Sequence, residues 1–161
     1  MNRRHHLLRT LGALLFAWSM GACSEPEVPT QAGLEEIALT LVTRQGPVSL
    51  QVEVAETVDQ RRMGLMGRDH LPANRGMLFL YPSQRAADTG FWMRNTRIPL
   101  DIAYLDQDGR VRNIRAMEPC PDGAACPTYP AGVPYRAALE VKQGWFADHG
   151  VTVGDRAEWE R

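Results

Sequence analysis

The residue types best suited to bind a ligand lie close together in the middle of the chain. They are an aromatic residue, a short polar run and an acid: Trp92, Arg94, Asn95, Thr96 and Asp101. The planar fork of an arginine fits a carboxylate or a phosphate, and the ring of Trp92 can stack on a sugar or a peptide. The alternative is structural, since Asn95 and Thr96 can satisfy backbone groups of a turn while Asp101 pairs with Arg94 or Arg62.

Two further arginines, Arg62 and Arg68, stand on either side of the apolar motif Gly64-Leu65-Met66. Because such a motif is expected to pack on a sheet, we predict that both arginines join the candidate binding surface. The alternative for these two arginines is a solvated helix face.

Two acids, Glu140 and Asp155, interrupt patterned segments near the end of the chain. As a pair they would suit hydrolysis of a glycoside or a peptide, but the sequence does not give their separation. Glu140 is also included in the candidate binding surface. His70 and His149 have no nucleophile motif nearby and are predicted to lie at the surface.

The cysteines indicate an exported protein. Cys120 and Cys126 close a short proline-containing loop, which in an exported chain predicts a disulfide. A zinc site would need further His or Cys residues nearby, and a redox pair would need C-x-x-C spacing, so both are weaker interpretations. No metal or cofactor is predicted.

The elements that position these residues are mostly strands. The predicted strands cover residues 37–43, 48–54, 77–81, 91–93, 100–105, 110–117, 135–142 and 151–159. Turn residues predict two hairpins, and the second needs a bulge because Val111 and Ile114 cannot otherwise share a face. Residues 77–81 are apolar on both faces, as in a central strand, whereas alternation in residues 135–142 predicts that Glu140 points outward.

Helices are few and short. Thr57 with Gln60 matches a capping box, and residues 144–149 form a second short helix or turn. Strands dominate without a βαβ rhythm. We therefore predict a mainly β protein: a single compact antiparallel β-sandwich or barrel-like domain over residues 36–161, with one or two short helices.

The first residues are typical of a targeting signal. A basic start, a short apolar run and small residues before Cys23 predict a signal peptide of the lipoprotein type over residues 1–22, with lipid attached to Cys23. Residues 23–35 are polar and contain proline, which favours a flexible tether. Removal of residues 1–22 leaves 15 Lys and Arg against 19 Asp and Glu, a net charge of −4, which argues against nucleic acid as a partner.

Several ordered motifs resemble domain of unknown function family 192 (DUF192). They are residues 62–68, residues 76–79, residues 91–101, and the pattern Leu139-Glu140, Gly144, Gly150 and Gly154-Asp155. The resemblance spans residues 37–159 and implies a compact β-sandwich-like domain that is often exported in bacteria. It implies no activity, and no catalytic or ligand-binding residue is carried over from it.

We therefore expect an exported, periplasm-facing protein, lipid-anchored to the outer membrane, that binds a saccharide, a peptide or another envelope protein without catalysis. A small hydrolase or lyase acting on cell-wall carbohydrate and a purely structural lipoprotein are the alternatives. An enzyme should have two titratable groups with perturbed pKa values in one pocket. A purely structural protein should have no pocket at all. A binding module should expose Trp92.

Overall fold

The computed structural model describes residues 28–120 and 125–160. The predicted signal peptide and the predicted lipidation site Cys23 lie outside these residues. The strands are β1 (Glu36–Thr43), β2 (Gly46–Ala55), β3 (Arg75–Arg85), β4 (Gly90–Trp92), β5 (Leu100–Leu105), β6 (Val111–Met117), β7 (Thr128–Pro130), β8 (Tyr135–Lys142) and β9 (Arg156–Trp159). The helices are α1 (Val58–Met63) and α2 (Trp145–Asp148).

Seven strands form one large sheet in the order β6-β5-β8-β3-β2-β1-β9, and β4 pairs with β7 in a small second sheet. A bridge between Arg110 and Arg156 brings the two edges of the large sheet together, so the sheet is barrel-like. The predicted mainly β, single-domain fold is confirmed. The large sheet is mixed, however, because β2 and β3 run parallel while the other pairs are antiparallel.

Local patterns produce the two predicted hairpins. β1 and β2 pair in register from Glu36 opposite Glu53 to Thr43 opposite Gly46. β5 and β6 form the second hairpin, whose register shifts between Tyr104 and Leu105, so the predicted bulge is confirmed. The bulge lets β6 follow the curvature of the sheet.

Two apolar cores lie on opposite faces of the large sheet. The interior core is made of aliphatic and aromatic side chains, among them Leu39, Leu41, Val52, Leu78, Leu139 and Phe146. The second core covers the outer face of β3, β5 and β8 and includes Met77, Phe79, Phe91, Ile102 and Tyr104. Burial on both faces accounts for the nearly continuous apolar runs of β5 and of residues 76–81 in β3, whereas β8 also carries Arg136, Glu140 and Lys142.

Helix α1 begins with the predicted capping box. The Thr57 hydroxyl accepts from the Gln60 backbone N–H at 3.2 Å, and the Gln60 side chain accepts from the Thr57 N–H at 2.9 Å. The helix ends at Met63, followed by Gly64 with a positive φ of 50°. Within the part of the chain that the structure describes, no helix has the length and apolar character needed to cross a bilayer.

The described part of the predicted tether lies against the end of α1. The Gln31 amide donates to the carbonyl oxygens of Gln60 at 3.1 Å and Gly64 at 2.8 Å, and Leu34 packs on the second core. Through Gln31 and Leu34, this segment is thus held to the domain.

Candidate functional site

Strand β4 and the two residues after it divide their side chains between the second core and the surface. Phe91 and Met93 are buried, while Trp92 is 46% exposed and Arg94 is also exposed. Phe91 meets Phe79 and Tyr104 edge to face in the second core. The apolar block is therefore core packing with one outward aromatic, Trp92.

The polar run after β4 is a tight turn held from two sides. Asn95 adopts a left-handed φ of 58°, its N–H donates to the Cys120 carbonyl at 2.9 Å, and its own carbonyl accepts from Gly67 N–H at 2.9 Å. The Cys120 N–H donates to the Thr96 carbonyl at 3.1 Å, and Cys120 is joined to Cys126 with an S–S distance of 2.08 Å. The disulfide therefore lies directly behind the turn that carries Thr96.

Glu140 lies on the outward face of β8, as predicted, but the second core covers this face and the side chain is buried instead of solvated. It lies on β8 opposite Met77 of β3 and Ile102 of β5, whose side chains belong to the second core. Only 4% of the residue is exposed, because α1 and the following loop cover this face of the sheet. Alternation assigns a side chain to a face of the strand, but it predicts solvent exposure only where that face is solvated.

The Glu140 carboxyl has no hydrogen bond or ion pair with any residue that the structure describes. Its burial raises the pKa of that carboxyl from 4.5 to about 8, and no nearby donor or cation opposes this effect. At neutral pH the group is therefore mostly protonated, and it can both donate and accept a hydrogen bond.

A small recess connects Glu140 with the surface. Its walls come from the end of α1 and the loop after it, from β3 and from the β4 turn; they include Arg62, Leu65, Met66, Phe79, Trp92, Thr96 and Glu140. We call this recess the Glu140 cleft. Its volume of about 20 Å³ has room for about one water molecule.

Four predicted site residues, Arg62, Trp92, Thr96 and Glu140, thus line one recess. Thr96 is only 4% exposed, and its hydroxyl hydrogen bonds to no described residue. Arg62 is exposed at the rim and pairs with no described acid. The cleft therefore combines two buried polar groups with a cation and an aromatic face at its mouth.

Asp101 is not part of the cleft. It lies on the opposite face of the sheet, on the side of Val141, and accepts from the Gly144 N–H at 2.8 Å. The predicted pairing of Asp101 with Arg94 or Arg62 is wrong, because the β5 pleat directs it away from both. Burial raises the pKa of Asp101, and the Gly144 N–H partly opposes that rise.

The remaining candidate site residues do not line the cleft. Arg68 forms a two-pronged ion pair with Glu53 at 2.7 and 2.5 Å and lines a different, wider groove. Arg94 and Asn95 flank the cleft without lining it. Asp155 accepts from the Thr152 N–H and hydroxyl, so it shares no cavity with Glu140.

The sequence did not reveal the walls of the cleft. Leu65 and Met66 after α1 were predicted to pack on a sheet, but not to roof an acid. Within residues 28–120 and 125–160 no three His, Cys, Asp or Glu side chains come together as a metal-binding group.

Solved structures resemble this chain over most of its length. One is a protein provisionally described as a transcription regulator from Sinorhizobium meliloti, 32% identical, with a TM-score of 0.70 over 80% of this chain and 97% of the other. Another, of unknown function, comes from Novosphingobium aromaticivorans and is 35% identical, with a TM-score of 0.70 over 85% of this chain and 94% of the other. No curated protein sequence matches.

A family model described as "Uncharacterized ACR", that of DUF192, matches residues 40–159. These residues include β1 to β9 almost entirely and every wall of the Glu140 cleft. The chain belongs to the DUF192 family.

Proposed function

We propose that the protein is a non-enzymatic binding module of the cell envelope that holds a saccharide at the Glu140 cleft. The observation that carries the proposal is the buried, unpartnered Glu140 carboxyl opening into a recess beside the exposed ring of Trp92. An unpaired polar group at such depth is unfavourable unless a ligand or water satisfies it.

The size and polarity of the recess favour a hydroxyl group. A recess of about 20 Å³ admits one water-sized group and excludes an amino-acid side chain of ordinary size. A neutral carboxyl and the Thr96 hydroxyl can each donate to and accept from a sugar hydroxyl. The remainder of the sugar would lie outside, with its apolar face on Trp92.

The hydrolase alternative has less support. Glycoside hydrolysis by the common route needs two carboxyl groups across the scissile bond. Glu140 is the one carboxylate among the described residues that line the cleft, since Asp101 lies on the other face of the sheet and Asp155 is held by Thr152. The purely structural alternative accounts for neither the exposure of Trp92 nor the open carboxyl.

We do not extend to this chain the transcription role suggested for the Sinorhizobium relative. Nucleic-acid binding relies on an excess of positive charge, and the chain without residues 1–22 carries a net charge of −4. The envelope location rests on the predicted signal peptide and lipidated Cys23.

A titration with neutral oligosaccharides tests the proposal. The purified protein is titrated with cello- and chito-oligosaccharides while backbone amide NMR shifts and tryptophan fluorescence are followed. We expect millimolar to micromolar binding that perturbs β4 and the loop after α1, and that Trp92→Ala abolishes. Trp159→Phe, at a half-buried tryptophan on β9, is the matched control.

Two results would contradict the proposal. The first is the absence of binding by every saccharide in the panel. The second is binding that survives both Trp92→Ala and Glu140→Gln, since the ligand would then lie elsewhere. Thermal unfolding of each variant separates lost binding from lost folding.

A further inference from the structure

We propose that the saccharide held at the Glu140 cleft carries a carboxylate, and that Arg62 binds this carboxylate at the rim. This inference rests on the proposed function and deepens it by naming the class of sugar. Three arginines in α1 and just after it differ in whether they have a partner within the protein.

Arg61 and Arg68 are fully engaged by the protein itself. One Arg61 amino group donates to the Leu80 carbonyl at 2.8 Å, and the guanidinium lies 4.8 Å from the centre of the Tyr81 ring. Arg68 is bound by both oxygens of Glu53. These two side chains serve to fix α1 and the following loop to the sheet.

Arg62 differs from both neighbours. It is exposed, lines the Glu140 cleft, and forms no hydrogen bond or ion pair with any described residue. Its planar fork matches the two oxygens of a carboxylate, and such charge-assisted contacts are about twice as strong as neutral ones. An arginine beside a recess and without a protein partner is suited to bind an anionic group of the ligand.

The electrostatics of the cleft favour an anion. The one acid among its described walls is Glu140, whose carboxyl is mostly protonated at neutral pH and so does not neutralise Arg62. Arg94 adds a second exposed guanidinium two residues beyond Trp92, without an ion pair among the described residues. A carboxylated sugar stacked on Trp92 would therefore meet positive charge and no ionised acid among the described walls of the cleft.

Trp92, Thr96 and Glu140 would then hold the sugar ring, while Arg62 selects its charge. The contacts to the sugar ring and the contact to its carboxylate then come from different side chains, so each can be removed by a separate substitution. Loss of Trp92 should weaken the binding of all saccharides to a similar extent, whereas loss of Arg62 should weaken the binding of the acidic ones most.

Pairs of related sugars in which one member carries a carboxylate and the other carries none provide the test. N-acetylmuramic acid is compared with N-acetylglucosamine, and glucuronic acid with glucose, by NMR titration at pH 7 and low salt. We expect the acidic member of each pair to bind about tenfold more tightly. Arg62→Gln should remove this preference, so that both members of each pair bind with similar affinity, and Arg62→Lys should restore part of it.

Arg44→Gln is the matched control, because it removes the same charge from the exposed β1–β2 turn, away from the cleft walls. Equal binding of acidic and neutral sugars, or an equal effect of Arg44→Gln, would overturn the inference and leave the proposed function standing. If glucose 6-sulfate or glucose 6-phosphate binds as tightly as glucuronic acid, the assignment of a carboxylate is overturned. Binding of no sugar at all would overturn both proposals.

Discussion

Replacing Glu140 with glutamine should change how the stability of the protein depends on pH. The amide has nearly the shape of the carboxyl group but cannot ionise. In the wild type the Glu140 carboxyl is buried without a partner, and its pKa rises from 4.5 to about 8. The unfolded chain returns the group to its ordinary pKa.

The sign follows from the number of protons bound. Between about pH 5 and pH 8 the folded protein holds a proton on Glu140 that the unfolded chain has released. The free energy of unfolding therefore falls as the pH rises, by at most about 1.4 kcal/mol per pH unit. Over the full interval between the two pKa values the loss approaches about 5 kcal/mol, a large part of the stability of an ordinary domain.

The assay is urea unfolding of the wild type and Glu140→Gln at a series of pH values from 4 to 9. We expect similar stability near pH 4, a growing advantage for the variant between about pH 5 and pH 8, and a constant advantage of several kcal/mol above that range. Asp101 also has a raised pKa, but it is present in both proteins, so its contribution cancels in the difference.

Glu160→Gln, at an exposed position, should leave the pH profile unchanged. A constant difference between wild type and Glu140→Gln over the whole pH range would refute the claim that Glu140 is buried and unpaired. So would carboxyl carbon NMR that shows Glu140 titrating near its ordinary value of 4.5.

Three further perturbations test the framework around the cleft. Replacing Cys120 and Cys126 with serine should lower the free energy of unfolding by about 2 kcal/mol in urea, and equal stability with and without reductant in the wild type would contradict this. Asp101→Ala should cost about 1–3 kcal/mol by leaving the partly buried Gly144 N–H unpaired, while Asp101→Asn should cost less; equal costs would argue against the hydrogen bond. Gly90→Ala would place a Cβ 2.3 Å from the Tyr129 carbonyl oxygen, so faster amide exchange is expected in β4 and β7, and unchanged exchange would argue against their close approach.

Features that depend on neighbouring residues were predictable from the sequence. The capping box at Thr57, the β5–β6 bulge and the β1–β2 hairpin each follow from a few adjacent side chains. The doubly buried strand β3 was also predictable, because its apolar residues leave no polar face for solvent.

Features set by distant contacts were not predictable in the same way. The parallel pairing of β2 with β3 depends on how α1 and its loop return across the sheet, and no local pattern encodes that path. The partner of Asp101 is a backbone N–H at Gly144, contributed by a turn far along the chain. A search for oppositely charged side chains cannot find such a partner, since the N–H is common to almost every residue.

The sequence of β8 contains a signal that indicates the burial of Glu140. Alternation in β8 assigned Arg136, Glu140 and Lys142 to a solvated face, but Ala138 occupies that same face. An apolar residue between two outward positions indicates that the middle of the face is covered while its ends are open, as the burial of Ala138 and the exposure of Arg136 and Lys142 show. Glu140 falls in the covered part, where a carboxyl without a partner is unfavourable by several kcal/mol if charged. The acid on this covered face does not stabilise the strand that carries it. Its presence is therefore better explained by a group that enters the recess and contacts it.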